Sequence, residues 1–149
     1  MWNVMMHLFF FFIFMIWTLA LIWNGKDLFN KKQWFLAGVM FVLVLVATVV
    51  IGFMLKWLAQ SMSLFSVATA KQYSIIFSMS LLCVWGLKVT VVLLGTIFSG
   101  IIGGHRKCNA EHYEAISSIT RVIAPGLLIV AKSVVSLGSV LMFSGLWLK

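Results

Sequence analysis

The sequence predicts an all-α integral membrane protein, a four-transmembrane-helix bundle formed by one domain over residues 1–149. Hydrophobic residues make up 63% of the chain and charged residues 9%, whereas soluble domains are near one quarter charged. The mean hydropathy is +1.13. Four apolar stretches are each long enough to cross a hydrocarbon core, which takes about 20 helical residues. This composition excludes a soluble globular protein.

The four predicted spans cover residues 4–23, 34–58, 73–102 and 122–148. No Lys or Arg precedes the first span, and it lacks an A-x-A-like cleavage site. It is therefore predicted to be a retained helix and not a secretory signal. Trp and Tyr residues lie near the span ends, where amphipathic rings prefer the membrane interface. They are Trp2, Trp23, Trp34, Trp57, Tyr73 and Trp147.

The distribution of basic residues predicts the orientation of the chain. The loops after the first and third spans hold Lys26, Lys31, Lys32, Arg106, Lys107 and Arg121, whereas the opposite side holds Lys56, Lys71 and Lys149. Cytoplasmic loops of membrane proteins carry an excess of Lys and Arg. We therefore expect both termini on the outer (periplasmic) side, and both basic loops in the cytoplasm.

Two lysines, Lys88 and Lys132, lie inside the third and fourth spans, which contain no acidic residue. A lysine at the centre of a membrane helix costs about 2.5 to 3.5 kcal/mol on insertion scales. The acids Asp27, Glu111 and Glu114 are all predicted to lie in loops, so no counter-charge is expected inside the chain. The expected alternatives are a partner chain, a lipid phosphate, a water-filled cavity, or snorkelling to an interface.

Small residues in the third and fourth spans indicate close helix contacts. Gly95, Ser99 and Gly103 recur at intervals of four, a spacing that lets membrane helices approach closely. In the fourth span, Ser136 and Ser139 share one side with Lys132. Together with Lys88, these residues form the predicted interaction surface, although ordinary packing within a monomer is an equal alternative.

The segment 103–121 holds most of the polar loop side chains and is predicted to be a soluble recognition surface. Its candidate contact residues are Arg106, Lys107, Glu111 and Glu114. His105, Cys108 and His112 lie close to Glu111, but structural metal sites usually combine two separated ligand pairs. A solvated polar turn is the expected structure, and no metal site is predicted.

The chain lacks the residues of a catalytic site. It has three acids in all, and it contains no Ser-His-Asp, HExxH, P-loop or dinucleotide-binding pattern. We therefore expect neither an enzyme nor a cofactor site. The net charge of +8 is spread singly or in pairs over span ends, where it meets lipid headgroups, so nucleic acid is not an expected partner.

In size, hydropathy and basic loops, the whole chain resembles the small entry-exclusion proteins of F-like conjugative plasmids and, less closely, immunity proteins against pore-forming colicins. The resemblance assigns no role to an individual residue. It implies residence in the bacterial inner membrane and recognition of a protein from an incoming donor machine or toxin. An accessory subunit of a secretion, conjugation or transport complex fits the same residues.

Two other functions remain open from the sequence. A homo-oligomeric pore or transport element would use the Lys132, Ser136 and Ser139 face as an anion-favouring lumen. The second span gives this hypothesis little support, since Thr48 is its only polar residue between Trp34 and Leu55. A lipid-binding protein would instead hold an anionic headgroup at Lys88 or Lys132.

Overall fold

The computed structural model describes the backbone of residues 2–61, 65–108 and 113–148, and the side chains of residues 4–61, 65–100 and 125–148. The described backbone is all-helical and contains no strand. Each of its four helices is long and apolar enough to cross a membrane, as predicted. The helices are α1 (Trp2–Asn24), α2 (Lys31–Ser61), α3 (Val67–Cys108) and α4 (Tyr113–Trp147).

The last two helices are longer than the apolar stretches that predict them. The segment 103–121 is predicted to be a loop with room for a brief surface helix after Asn109, but α3 continues to Cys108 and α4 begins at Tyr113. The loop prediction is therefore wrong over most of this segment. Hydropathy marks the end of an apolar run, whereas Arg, Lys and Glu are themselves good helix formers. Pro125, predicted near the start of a helix, consequently lies inside α4.

Side-chain caps define the beginnings of α2 and α3. At α2, the Asn30 carboxamide oxygen accepts from the Gln33 backbone N–H at 2.9 Å, and Gln33 Oε1 accepts from the Asn30 N–H at 3.0 Å. This reciprocal pair is a capping box. At α3, Ser66 Oγ accepts from the Thr69 N–H at 3.1 Å. Both helices therefore start where a side chain satisfies their free N–H groups.

The helix α3 is central to the bundle. It contacts α1, α2 and α4, and α1 also contacts α4. Among the described residues, α2 packs on α3 and on no other helix. Ala59 is the only buried residue of α2 that the structure describes. The fold is therefore a three-helix core of α1, α3 and α4, with α2 attached to the outer side of α3.

Aromatic rings fill the core at the end of the bundle where α1 begins. Trp147 stacks on Phe10 and Phe14 with ring centroids 5.3 and 5.9 Å apart, and it meets Phe77 edge-to-face at 5.1 Å. Phe143 is fully buried and also stacks on Phe14. Membrane helices associate largely through such van der Waals packing. This cluster therefore holds α1, α3 and α4 together.

His7 connects the same three helices at this end. Its Nδ1 lies 2.7 Å from the Trp147 carbonyl oxygen, and its Nε2 lies 3.0 Å from the Tyr73 hydroxyl. The carbonyl can only accept, so Nδ1 donates to it, and Nε2 shares a hydrogen bond with the Tyr73 hydroxyl. Trp147 is the last residue of α4, where carbonyls lack partners within the helix. His7 therefore caps the C-terminus of α4.

Two buried hydroxyls give a matched test of this packing. Ser80 Oγ accepts the Trp147 indole N–H at 2.9 Å, and both side chains are fully buried. Thr18 Oγ1 is also buried, but it has no hydrogen-bond partner among the described residues. We expect Ser80→Ala to destabilise the fold by about 1 to 2 kcal/mol, because the indole N–H loses its acceptor. Thr18→Val should be neutral or stabilising.

The measurement is the thermal unfolding midpoint of each purified variant in one mild detergent, followed by circular dichroism. Equal midpoints for Ser80→Ala and the parent chain would show that the indole hydrogen bond contributes nothing. A large loss for Thr18→Val would show that the Thr18 hydroxyl has a partner that the structure does not identify.

Candidate functional site

The loop between α1 and α2, residues 25–30, is folded against α3 and α4. Gly25 follows the end of α1, and a Cβ on it would overlap the Leu21 carbonyl and the Lys88 ammonium. Farther along the loop, the Asp27 carbonyl lies against Gly95 of α3. Lys88 and Gly95 are seven residues apart, or about 10 Å along a helix. The loop therefore follows α3 for about two turns.

Asp27 forms an ion pair with Lys132 of α4. The Lys132 Nζ lies 2.7 Å from Asp27 Oδ1, with 9% of the lysine side chain and 28% of the aspartate side chain exposed. This Oδ1 has no well-aligned hydrogen-bond donor among the described residues, so the ammonium compensates its charge mainly by proximity. The prediction that the chain offers no internal counter-charge is therefore wrong. The reason is that the loop holding Asp27 folds back onto the helices.

Lys88 also finds a partner within the chain. Its Nζ donates to the Lys26 carbonyl oxygen at 2.7 Å. The Asp27 carboxylate lies within electrostatic reach of Lys88 as well as pairing with Lys132. Asp27 of the loop therefore interacts electrostatically with two lysines on two different helices. An ammonium has three N–H donors, so the Lys26 carbonyl leaves Lys88 with capacity for further acceptors.

The small residues of α3 do not all meet another helix. Gly95 is buried, and the backbone it contacts is the Asp27 carbonyl of the loop. Ser99 is exposed, and a Cβ on Gly100 would meet nothing within 4 Å. The sequence predicts a contact between helices at Gly95, whereas in the structure the segment that lies against Gly95 is a loop.

The Lys132, Ser136 and Ser139 side of α4 is turned toward α1 and its loop. Ser136 Oγ accepts from the Trp23 indole N–H at 3.2 Å, and Lys132 Nζ lies 5.9 Å from the Trp23 ring centroid. Ser139 is fully buried and donates to the Ser136 carbonyl at 2.7 Å. Lys132 and Ser139 are thus buried at this side of α4, whereas the bond between Ser136 and Trp23 is exposed.

A groove opens beside this cluster, between α1 and α2. Its volume is ≈ 440 Å³. The floor is α3, from which Trp85 donates its indole N–H to the Ala37 carbonyl of α2 at 3.1 Å. Lys26 and Lys88 lie at the loop end of the groove. The loop therefore contacts both the ion pair and the apolar groove.

Several predicted site residues lie outside the side chains that the structure describes. These are Gly103, Arg106, Lys107, Glu111 and Glu114, together with His105, Cys108 and His112 of the polar cluster. The backbone alone shows that residues 103–108 belong to α3 and that Glu114 belongs to α4. The sequence does not identify Asp27 as the partner of Lys132, nor His7 as the cap of α4, because both roles arise from contacts between distant parts of the chain.

Removing one partner of the ion pair should destabilise the protein more than removing both. We expect Asp27→Asn or Lys132→Met to cost about 2 kcal/mol, less than for a fully enclosed pair because Asp27 keeps 28% exposure. The double variant should recover part of this loss, because no unpaired charge is left. Thermal midpoints in detergent give the double-mutant cycle. Lys71→Met, an exposed lysine, is the control, and additive losses would contradict the pair.

Two glycines of α3 test whether the loop is docked on this helix. Gly95→Ala places a Cβ on the Asp27 carbonyl, and we expect a loss of about 1 to 3 kcal/mol from the forced displacement of the loop. Gly100→Ala meets open space and should be neutral or stabilising by up to about 1 kcal/mol through helix propensity. Thermal midpoints again report the difference. Equal effects of the two substitutions would mean that the loop does not contact α3.

No protein-family model, curated protein or solved structure matches this chain. Its function must therefore be inferred from its own side chains and their contacts.

Proposed function

We propose that the chain is a multi-pass membrane protein. The part of it that lies in the hydrocarbon core of the bilayer, called the hydrocarbon segment, is located between two polar layers. One layer is His7 with Tyr73, and the other is the Asp27–Lys132 pair beside Gly95. The two layers are 22 residues apart in α3, from Tyr73 to Gly95, or about 33 Å, and 15 residues apart in α4, from Lys132 to Trp147, or about 22 Å. The hydrocarbon core of a bilayer is about 30 Å thick. Lys88 and Lys132 then meet the loop near one interface and do not lie at the bilayer centre.

Residues Lys26, Lys31 and Lys32 lie at the loop end of this segment. Basic residues are more frequent on the cytoplasmic side of membrane proteins. We therefore assign the loop end to the cytoplasm and both termini to the outer side, in a bacterial inner membrane. The resemblance to entry-exclusion proteins supports the choice of membrane.

The observation that carries the functional proposal is the length of α3 and α4 beyond the docked loop. From Gly95, α3 continues for 13 residues to Cys108, or about 20 Å. The ends of α3 and α4 beyond the docked loop, residues 96–108 and 113–131, are called the projecting end. It carries Arg106, Lys107 and Glu114. Four residues at its base in α3, Thr96, Ile97, Ser99 and Gly100, are exposed, so this surface suits contact with another protein.

Exposed apolar side chains at the base of the projecting end support a protein contact. Ile97 of α3 and Leu127, Ile129 and Val130 of α4 are all exposed. They follow directly on the polar layer of Asp27 and Lys132, where the bilayer changes from hydrocarbon to headgroups. Apolar surface there is better covered by protein than by polar headgroups. The partner we propose is another membrane protein or a second copy of this chain.

The protein therefore acts, in our proposal, by recognition and without catalysis, as an exclusion or immunity protein or as an accessory subunit of a secretion, conjugation or transport complex. The alternative of an anion-favouring pore has less support. Its lumen would need Lys132, Ser136 and Ser139, but Lys132 pairs with Asp27, and Ser136 bonds to Trp23. Ser139 is fully buried within the chain.

Photocrosslinking in native membranes tests the contact. A benzophenone amino acid at Leu127 should give a discrete protein adduct, because this side chain lies at the base of the projecting end. Leu141 is the matched control, since it is exposed on the same face of α4 but lies 14 residues, or about 21 Å, deeper in the proposed hydrocarbon segment. Protein adducts of equal yield at both positions, or at neither, would contradict a contact at the projecting end.

The same membranes test the orientation. In a Cys83→Ser variant, Cys108 is the one remaining thiol. A membrane-impermeant maleimide should label it in inverted vesicles and not in intact cells. Labelling in intact cells would place the projecting end outside and reverse the proposed topology.

A further inference from the structure

The groove between α1 and α2 has walls from both helices and a floor from α3. It exists because α2 packs on α3 without touching α1. Its lining is apolar along most of its length, and its volume of ≈ 440 Å³ falls in the range of small-molecule pockets, about 300 to 1,000 Å³. The apolar lining includes Trp17, Leu21, Met40, Val44, Leu81 and Trp85.

One end of the groove is polar and positively charged. Lys26, Gln33 and Lys88 line it there, and no Asp or Glu lines any part of it among the described residues. Asp27 lies close by, but its carboxylate is turned to Lys132 at 2.7 Å. Lys88 thus shares the Asp27 carboxylate with Lys132, and neither ammonium group at the groove is in direct contact with a carboxylate among the described residues. Lys31 and Lys32 add positive charge at the start of α2.

The polar end and the apolar part of the groove lie one after the other along the membrane normal. The groove extends along α2 from Gln33 to Val44, 11 residues or about 16 Å. Its charged end lies at the loop, which is the proposed interface, and the rest lies within the proposed hydrocarbon segment. An occupant must therefore combine an anionic head at the interface with an apolar tail that enters the bilayer.

We propose that this groove binds an anionic glycerophospholipid, with the phosphate at Lys26 and Lys88 and one acyl chain between α1 and α2. The Lys88 ammonium donates one hydrogen bond to the Lys26 carbonyl and keeps donors for a phosphate oxygen. The Lys26 side chain is exposed and free to close over the head. This inference rests on the proposed membrane residence and is independent of the proposed partner contact.

The test is native mass spectrometry of the purified full chain in a mild detergent, titrated with phosphatidylglycerol or with zwitterionic phosphatidylcholine. The parent chain should bind phosphatidylglycerol more tightly. Lys26→Gln and Lys88→Gln should each weaken phosphatidylglycerol binding about 5-fold, the effect expected for one lysine near an anionic headgroup. The control is Lys56→Gln with Lys71→Gln, two exposed lysines that do not line the groove.

A second variant tests whether the acyl chain binds in the apolar part of the groove. Val44→Trp fills the deep end of the groove and should lower the binding of both lipids alike, because it leaves the lysines intact. The Lys26→Gln variant keeps the backbone carbonyl that accepts from Lys88, so this contact between the loop and α3 remains available in it.

Equal binding of the two lipids by the parent chain, or an unchanged preference in both groove lysine variants, would overturn the lipid site. Failure of the parent chain to remain in washed membranes or to reconstitute into vesicles would instead overturn the proposed membrane residence. These two failures are therefore distinguishable.

Discussion

The ion pair between Asp27 and Lys132 is the contact on which the arrangement of the helices depends. A charge without compensation is costly in an apolar environment, and Asp27 is the sole acid in the first 110 residues. Pairing it with Lys132 brings the loop onto the bundle, with the Lys26 carbonyl at Lys88 and the Asp27 carbonyl at Gly95. One electrostatic requirement thus determines where the α1–α2 loop meets α3 and α4.

The position of α2 follows from this docking. The six residues 25–30 follow α3 past Lys88 to Gly95 and do not turn tightly, so α1 and α2 stay apart and each packs on α3. Trp85 then attaches α2 to α3 through the Ala37 carbonyl and through the Phe41 ring, whose centroid is 4.6 Å away. The groove is a consequence of the same geometry, because nothing in the described chain fills the space between α1 and α2.

The number of helices was predictable because bilayer thickness sets the length of an apolar stretch, independently of tertiary contacts. The partner of each lysine was not predictable, since loop docking depends on contacts between residues more than 60 positions apart, such as Lys26 with Lys88. The spacing of Gly95 predicted contact with another helix, whereas the backbone that lies against it belongs to a loop, because a pattern of small residues does not say which backbone approaches. One feature of the sequence does indicate the counter-charge, since Asp27 is the sole acid between the first two spans.

A buried ion pair is weak evidence for stability, because desolvation offsets much of the attraction, and well-packed apolar residues often do as well. The ion pair has a stronger effect on register, that is, on the position of the helices relative to one another along the bundle axis. The helices α2 and α3 are hydrophobic on most sides, so apolar packing alone permits many similar positions along the axis. The ion pair between the Asp27 carboxylate and the Lys132 ammonium permits few such positions. Gly95 allows the loop to lie against α3 at one level. The pair and Gly95 together therefore fix the level at which the loop meets the bundle, and hence how far α3 and α4 extend past it.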